Sequence, residues 1–164
     1  MAKEGPKHNR HPATDSHDHG LCIDQALLAA EEVCRLRGAR LTPMRRQVLA
    51  LIWRNHEPVG AYALMDALRA QGVNAAPPTI YRALEFLLTN GLIHRLETLN
   101  AYLGCPDPRR SHQGQYLICQ ECGAAEEMAD PAVTELLNRL AAARGFTTER
   151  QTVELFGRCR QCRP

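Results

Sequence analysis

Two Cys-x-x-Cys pairs, Cys119-Gln120-Glu121-Cys122 and Cys159-Arg160-Gln161-Cys162, constrain this chain more than any other feature. Each pair sets two sulfurs on one side of a tight turn, and two such turns supply the four soft ligands, at about 2.3 Å, that tetrahedral zinc accepts. A redox dithiol or a pair of disulfides is the competing use of the same residues. A thioredoxin-type motif normally occurs once, however, and the chain holds seven cysteines, an odd number. With a polar N-terminus that reads as no export signal, this argues for thiols and metal rather than a disulfide framework. The expectation is a closed structural zinc site that organises the last third of the chain.

At 164 residues and 45% hydrophobic content the chain has room for one ordinary domain or two small ones, and it is too apolar for a disordered protein. No apolar run reaches membrane-spanning length, so the expected location is the cytoplasm, without a membrane partner. The formal net charge of +2 says little. Its distribution says more: no acidic residue falls between Val33 and His56, whereas Arg35, Arg37, Arg40, Arg45, Arg46 and Arg54 all do. Such a patch neutralises phosphates; a solvated helix face explains it equally well.

Residues 1–20, with His8, His11, His17 and His19 among polar neighbours, read as a disordered His-rich tail. Residues 21–103 then carry helical periodicity. Ile23, Leu27, Ala30 and Cys34 form one stripe, stopped at Gly38. Thr42-Pro43 reads as N-cap and first-turn proline of a second helix with Met44, Val48, Leu51 and Ile52 inside. Ala61, Leu64, Met65 and Leu68 mark a third, ending at Gly72. A fourth begins near Pro77-Pro78-Thr79, buries Ile80, Ala83, Leu84, Leu87 and Leu88, and ends at Gly91. Short extended pieces follow, roughly 92–96 and 101–103. Helices followed by a hairpin outline a winged helix, whose last helix enters the major groove, so Thr79, Tyr81 and Arg82 are placed to reach bases or phosphates. Residues 104–113, rich in Pro, Arg, Ser and Gly, read as a hinge. Residues 114–164 read as a strand (116–119) carrying the first Cys pair, a helix through Val133, Leu136, Leu137 and Leu140 stopped at Gly145, and a strand (152–156) carrying the second. So short a segment has a small core, and a structural metal plus dimerisation is the usual remedy.

His94, Cys105, His112 and Glu127 remain as candidate ligands. Nitrogen, sulfur and oxygen donors in this combination suit four-coordinate zinc. Their spacing is not a local motif, and each has an ordinary alternative as a surface, packed or solvated side chain. Cys22 and Cys34 read as helix or core thiols.

The stretches Leu41-Thr42-Pro43-Met44-Arg45, Pro77-Pro78-Thr79-Ile80-Tyr81-Arg82-Ala83-Leu84-Glu85-Phe86-Leu87 and Ile118-Cys119-Gln120-Glu121-Cys122-Gly123 together resemble the ferric uptake regulator (Fur) family, collinearly from about residue 23 to the end. The double proline, His94 followed by Ala101-Tyr102-Leu103-Gly104-Cys105, and the final paired cysteines resemble its zinc-sensing branch. The resemblance implies an α+β homodimer: an N-terminal winged-helix DNA-binding domain followed by a small C-terminal α/β dimerisation domain with structural zinc. It implies two zinc ions per chain, one structural on Cys119, Cys122, Cys159 and Cys162, one regulatory on His94, Cys105, His112 and Glu127. It carries DNA contact to Tyr81 and Arg82, and less specifically to Tyr62 and Arg45. The implied function is zinc-dependent binding of palindromic AT-rich operators and repression of zinc-uptake genes. Iron-sensing members have a histidine cluster before the first Cys pair, where this chain has Ser111-His112-Gln113-Gly114-Gln115. Strand 151–156 lacks the histidine of a further metal site.

Other classes fit less well. A zinc hydrolase or deaminase needs an open metal position with an adjacent acid or base, whereas four thiolates fill the first site. The chain therefore reads as no enzyme, with no small-molecule substrate. A zinc-ribbon module without DNA would leave Tyr81, Arg82 and the arginine-rich segment unused. Within the family, an iron or peroxide sensor is the alternative.

Overall fold

The computed structural model describes residues 19–54, 57–110 and 113–163. Most of the His-rich tail, His112 and part of the expected hinge therefore lie outside the described residues. His19 and Gly20, assigned to that tail, instead open the first helix.

Four helices precede the first paired hairpin: α1 (His19–Leu36), α2 (Pro43–Trp53), α3 (Ala61–Ala70) and α4 (Pro77–Thr89). The apolar stripes read from the sequence are the ones that pack. Ala30, Val33 and Cys34 of α1, Val48, Leu49 and Ile52 of α2, Leu64, Met65 and Leu68 of α3, and Ile80, Ala83, Leu84 and Leu87 of α4 form one buried cluster. Thr42 takes the extended N-cap conformation before Pro43, but its hydroxyl makes no cap hydrogen bond. At the end of α4, Gly91 adopts φ +65°, which glycine reaches without strain. The Leu92 amide donates to the Leu87 carbonyl at 2.9 Å, a Schellman closure that turns the chain directly into the hairpin.

That hairpin pairs β2 (Ile93–Leu96) with β3 (Ala101–Gly104), and β3 also pairs with a two-residue strand β1 (Val59–Gly60), giving the order β1-β3-β2. Two residues carry too little periodicity to mark β1 in the sequence. Cys105 is not free linker: its amide donates to the Leu92 carbonyl at 3.1 Å, and it is buried. The hairpin ladder thus takes in the first two residues, Gly104 and Cys105, of the stretch read as a hinge.

The second sheet has the order β5-β4-β6, from β4 (Gly114–Cys119), β5 (Ala125–Glu127) and β6 (Thr152–Gly157). β5, with two acidic residues among three, gave no strand signal; it is held antiparallel to β4 by register Tyr116↔Glu127. β6 runs parallel to β4, as a crossover through α5 (Pro131–Ala142) requires. Asp130 caps α5 by accepting from the Ala132 amide at 2.8 Å.

The two sheets meet. Leu96 and Leu103 of the wing pack with Tyr116 and Ile118 of β4 in a second buried cluster. Period-two alternation explains the pairing: His94 and Leu96 share one face of β2, and Leu103 lies opposite His94 on β3. The whole is α+β, and no helix among the described residues is long and apolar enough to cross a membrane.

Candidate metal centres and DNA-reading face

The parallel register that ends with Cys119↔Gly157 sets the two Cys-x-x-Cys turns side by side. The Gln120 amide donates to the Gly157 carbonyl at 2.9 Å and fixes them together. The four sulfurs of Cys119, Cys122, Cys159 and Cys162 lie within 4.8 Å of one another. Cys122 Sγ and Cys159 Sγ are 3.8 Å apart, and a tetrahedron with zinc–sulfur arms of 2.3 Å has edges of about 3.8 Å. All seven cysteines are thiols. The Cys159 amide donates to Cys119 Sγ at 3.4 Å, and this with the Cys122 amide holds the Cys119 thiol well below its usual range. Hydrogen bonding with Cys159 and desolvation push Cys162 up. One low thiol beside a raised one means that a cation taking all four sulfurs must displace protons, and the donor set and spacing fit zinc.

The second constellation is assembled across the two sheets. His94 comes from β2, Cys105 from the residue after β3, and Glu127 from the end of β5; one ligand atom of each lies within 4.8 Å of the others. His94 Nε2 is 3.5 Å from Glu127 Oε1, with side chains 16% and 6% exposed. Donors sharing a tetrahedral zinc at about 2.0–2.1 Å stand roughly 3.3 Å apart. Burial pushes the Cys105 thiol up to about 12; the Asp107 backbone N–H opposes this, and the nearby Glu127 and Asp107 carboxylates add to it. An imidazolium–carboxylate pair would engage two of these donors, whereas a zinc ion takes all three. Tyr116 backs the site, its ring 5.7 Å from that of His94. Burial, then the Glu127 charge, holds its phenol far above the ordinary range. On the side of Glu127 a cavity of about 150 Å³ is lined by Ile52, Trp53, Leu103, Gly104, Pro106 and Ala125. Trp53 packs on Gly104, where an added Cβ would stand 2.3 Å from the indole.

On the far side of the helical domain, α4 buries Ile80, Ala83, Leu84 and Leu87 and exposes Thr79, Tyr81, Arg82 and Glu85. Tyr62, on α3, is 77% exposed. The arginine-rich segment is partly internal wiring. Arg37 donates to the Asn90 carbonyl at 2.7 Å, Arg46 pairs with Glu31, and Arg45 donates to the Arg40 carbonyl at 2.6 Å while its guanidinium lies 3.5 Å over the Phe86 ring. Apart from the nearby Arg40 carbonyl, those partners are fifteen or more positions away, invisible to a count of charges along the chain.

Comparison with known proteins places these features in context. The model of the ferric uptake regulator family matches residues 36–156. The zinc uptake regulation protein of Escherichia coli (strain K12) is 40% identical over 140 residues, 84% of this chain and 82% of that protein. A solved zinc uptake regulator complexed with zinc and DNA superposes with a TM-score of 0.81 at 38% identity, covering 85% of this chain and 94% of that one. The holo form of XcZur gives 0.79 at 43% identity, covering 85% and 97%. Its apo form, at 42% identity and the same coverage, gives only 0.50. With identity and coverage matched, the difference is one of geometry: this chain is arranged like the holo form.

Proposed function

The chain belongs to the ferric uptake regulator family, and from that premise we propose that it is a zinc-responsive transcriptional repressor, a homodimer that binds operator DNA when zinc is bound and silences zinc-uptake genes in the cytoplasm. It is a regulator, not an enzyme. The observation that carries the reading is the placement of His94, Cys105 and Glu127: two ride with the wing, one with the C-terminal sheet, and they converge in a holo-like arrangement.

Cys119, Cys122, Cys159 and Cys162 would hold one structural zinc, and His94, Cys105 and Glu127 with His112 a second, regulatory one, two per chain. Zinc supplies a divalent charge and a four-coordinate demand that favours presenting all the donors together. His94 and Cys105 can face Glu127 only when Leu96 and Leu103 dock on Tyr116 and Ile118, so the ligand set and the domain docking are one event. Docking fixes α4 relative to the C-terminal sheet. Leu136, Leu137 and Leu140 on α5, with Leu117 and Leu155 on the sheet, stay exposed in the single chain, and a second copy covers such an apolar surface. The two α4 helices of the dimer must then match half-sites about one helical turn, roughly 34 Å, or a multiple of it, apart. Tyr81 and Arg82 would read the groove, Thr79 and Tyr62 the flanking backbone, with Arg45 contributing charge.

The Cys105 thiolate favours zinc over iron(II) or manganese, which prefer nitrogen and oxygen donors. The decisive experiment is a chelator competition on the purified protein, read at once as metal stoichiometry and as anisotropy of a labelled operator. Loss of operator binding as only the weaker of two zinc ions leaves is the expected result. One zinc per chain with DNA binding indifferent to it would sink the reading.

A further inference from the structure

The wing is fastened to the C-terminal sheet at a second place, distant from the ligands. β2 and β3 are joined by a turn over residues 97–100, in which Asn100 takes φ +47° and its amide donates to the Glu97 carbonyl at 3.2 Å. Glu154, in β6, inserts its carboxylate against that turn: Oε1 accepts the Glu97 amide at 2.6 Å and Oε2 the Thr98 amide at 3.2 Å. The Glu97 side chain, in return, pairs with Arg150 at 2.6 Å and with Arg95 at 3.4 Å. Apart from Arg95, these contacts join the wing tip to the segment entering and forming β6. Glu154 is also the register partner of Tyr116, the residue whose ring lies against His94.

A single fastening leaves a pivot. The ligands at the base of the wing fix one point, and His94 and Glu97 are three residues, about 10 Å, apart along an extended strand. A second fastening at the tip removes the remaining swivel and sets the wing's orientation as well as its position. Two adjacent backbone amides converging on one carboxylate make a charge-assisted contact that forms only when the wing is docked. We propose that Glu154 is a positioning residue for zinc sensing: by clasping the Glu97 and Thr98 amides, with Arg150 on Glu97, it holds the wing so that His94 and Cys105 face Glu127, and so raises the affinity of a metal site it does not touch. The inference rests on the zinc-sensing reading above and adds to it a determinant outside the ligand set.

Coupling of this kind is reciprocal. Glu154→Ala removes an interaction made only in the docked form, so zinc affinity at the regulatory site of the full-length dimer falls about fivefold to tenfold. Glu154→Gln, which keeps one acceptor oxygen, falls between, and Arg150→Ala, whose partner pair is more exposed, changes less. Structural zinc content and sedimentation as a dimer stay as in the parent. The test combines chelator competition without DNA with amide hydrogen exchange of Glu97 and Thr98 in the zinc-loaded protein. Faster exchange together with weakened zinc binding in Glu154→Ala is the expected result. Unchanged exchange overturns the clasp itself, and faster exchange with unchanged zinc affinity overturns its positioning role. If the parent binds operator regardless of zinc, the sensor reading fails, while the exchange and affinity data still decide the clasp.

Discussion

The two ligand clusters use similar donors to opposite ends. Cys119, Cys122, Cys159 and Cys162 are all delivered by neighbouring strands of one sheet, and the β4–β6 register that aligns them exists only in the folded C-terminal domain. Metal bound there would be part of folding. His94, Cys105 and Glu127 come from two sheets joined by a small apolar contact through Leu96, Leu103, Tyr116 and Ile118 and by the Glu154 clasp on the wing turn. On the function proposed above, metal there would choose between arrangements of parts that fold without it. The lesson is that a ligand set's reach across the fold, more than its chemistry, decides whether a site is structural or regulatory.

The largest effect should separate the two at once. Structural zinc contributes about 10–16 kcal/mol of apparent binding free energy in zinc-finger peptides, as much as the whole stability of an ordinary domain. Cys119→Ser is therefore expected to unfold the C-terminal domain and abolish dimers, seen by sedimentation and circular dichroism with no DNA present. Cys105→Ser should do neither. Residues that merely support a metal ligand are worth 10- to 100-fold in affinity, so loss of the ligand itself should weaken regulatory zinc binding by at least about a hundredfold while the fold, the structural zinc and the dimer persist. If Cys105→Ser kept zinc-dependent operator binding in titrations, the contrast between the sites would collapse.

How much of this was legible in the sequence follows the same division. The tetrathiolate was legible because each Cys-x-x-Cys is local and its pairing needs only one sheet. The helices were legible because α1 to α4 each carry a long 3.6-residue stripe, and Ile80, Ala83, Leu84 and Leu87 pack as the period requires. The triad was legible only as a set of suitable donors, since nothing in the order His94, Cys105, Glu127 says that a wing will dock on a sheet; the family resemblance was what joined them into one site. β5 escaped notice because Glu126 and Glu127 suppress any strand signal, and pairing with β4 imposes it. Glu154 lies within the strand read over 152–156, but its partners, the amides of Glu97 and Thr98, carry no sequence information at all.

Next in size is a pH dependence. Burial raises the metal-free Cys105 thiol to about 12, so around neutrality zinc must displace a proton to gain that ligand. Regulatory zinc affinity should fall about tenfold for each unit by which pH is lowered through the neutral range, in Cys105-dependent fashion, read by chelator competition between pH 6.5 and 8.5, as about one proton per zinc. The sign reverses for the metal-free fold. A thiol raised above its unfolded value favours folding below about 9, and that contribution is lost as pH climbs towards 12.

The smallest effects concern the exposed face of α4 proposed to read DNA, where a change should leave both metal sites as they were. Arg82, exposed on α4, is expected to read a base edge, so Arg82→Ala should cost about 1–3 kcal/mol at one operator position and relax preference there. Arg45 is held differently, its guanidinium over Phe86 and bonded to the Arg40 carbonyl. A cation so engaged can still lend its charge to the groove while losing freedom to seek a particular base. Arg45→Ala should therefore weaken binding to every sequence by a similar factor and flatten the salt dependence by less than one full phosphate contact. It should also loosen α2 against α4, since a stacked cation contributes about 0.5–1 kcal/mol at a partly exposed site, and this would appear as a lower melting temperature without loss of either zinc. A full unit of salt slope with no change in melting would mean that Arg45 leaves Phe86 for the phosphate when DNA arrives, and that the arginine-rich segment is a binding patch first and wiring second.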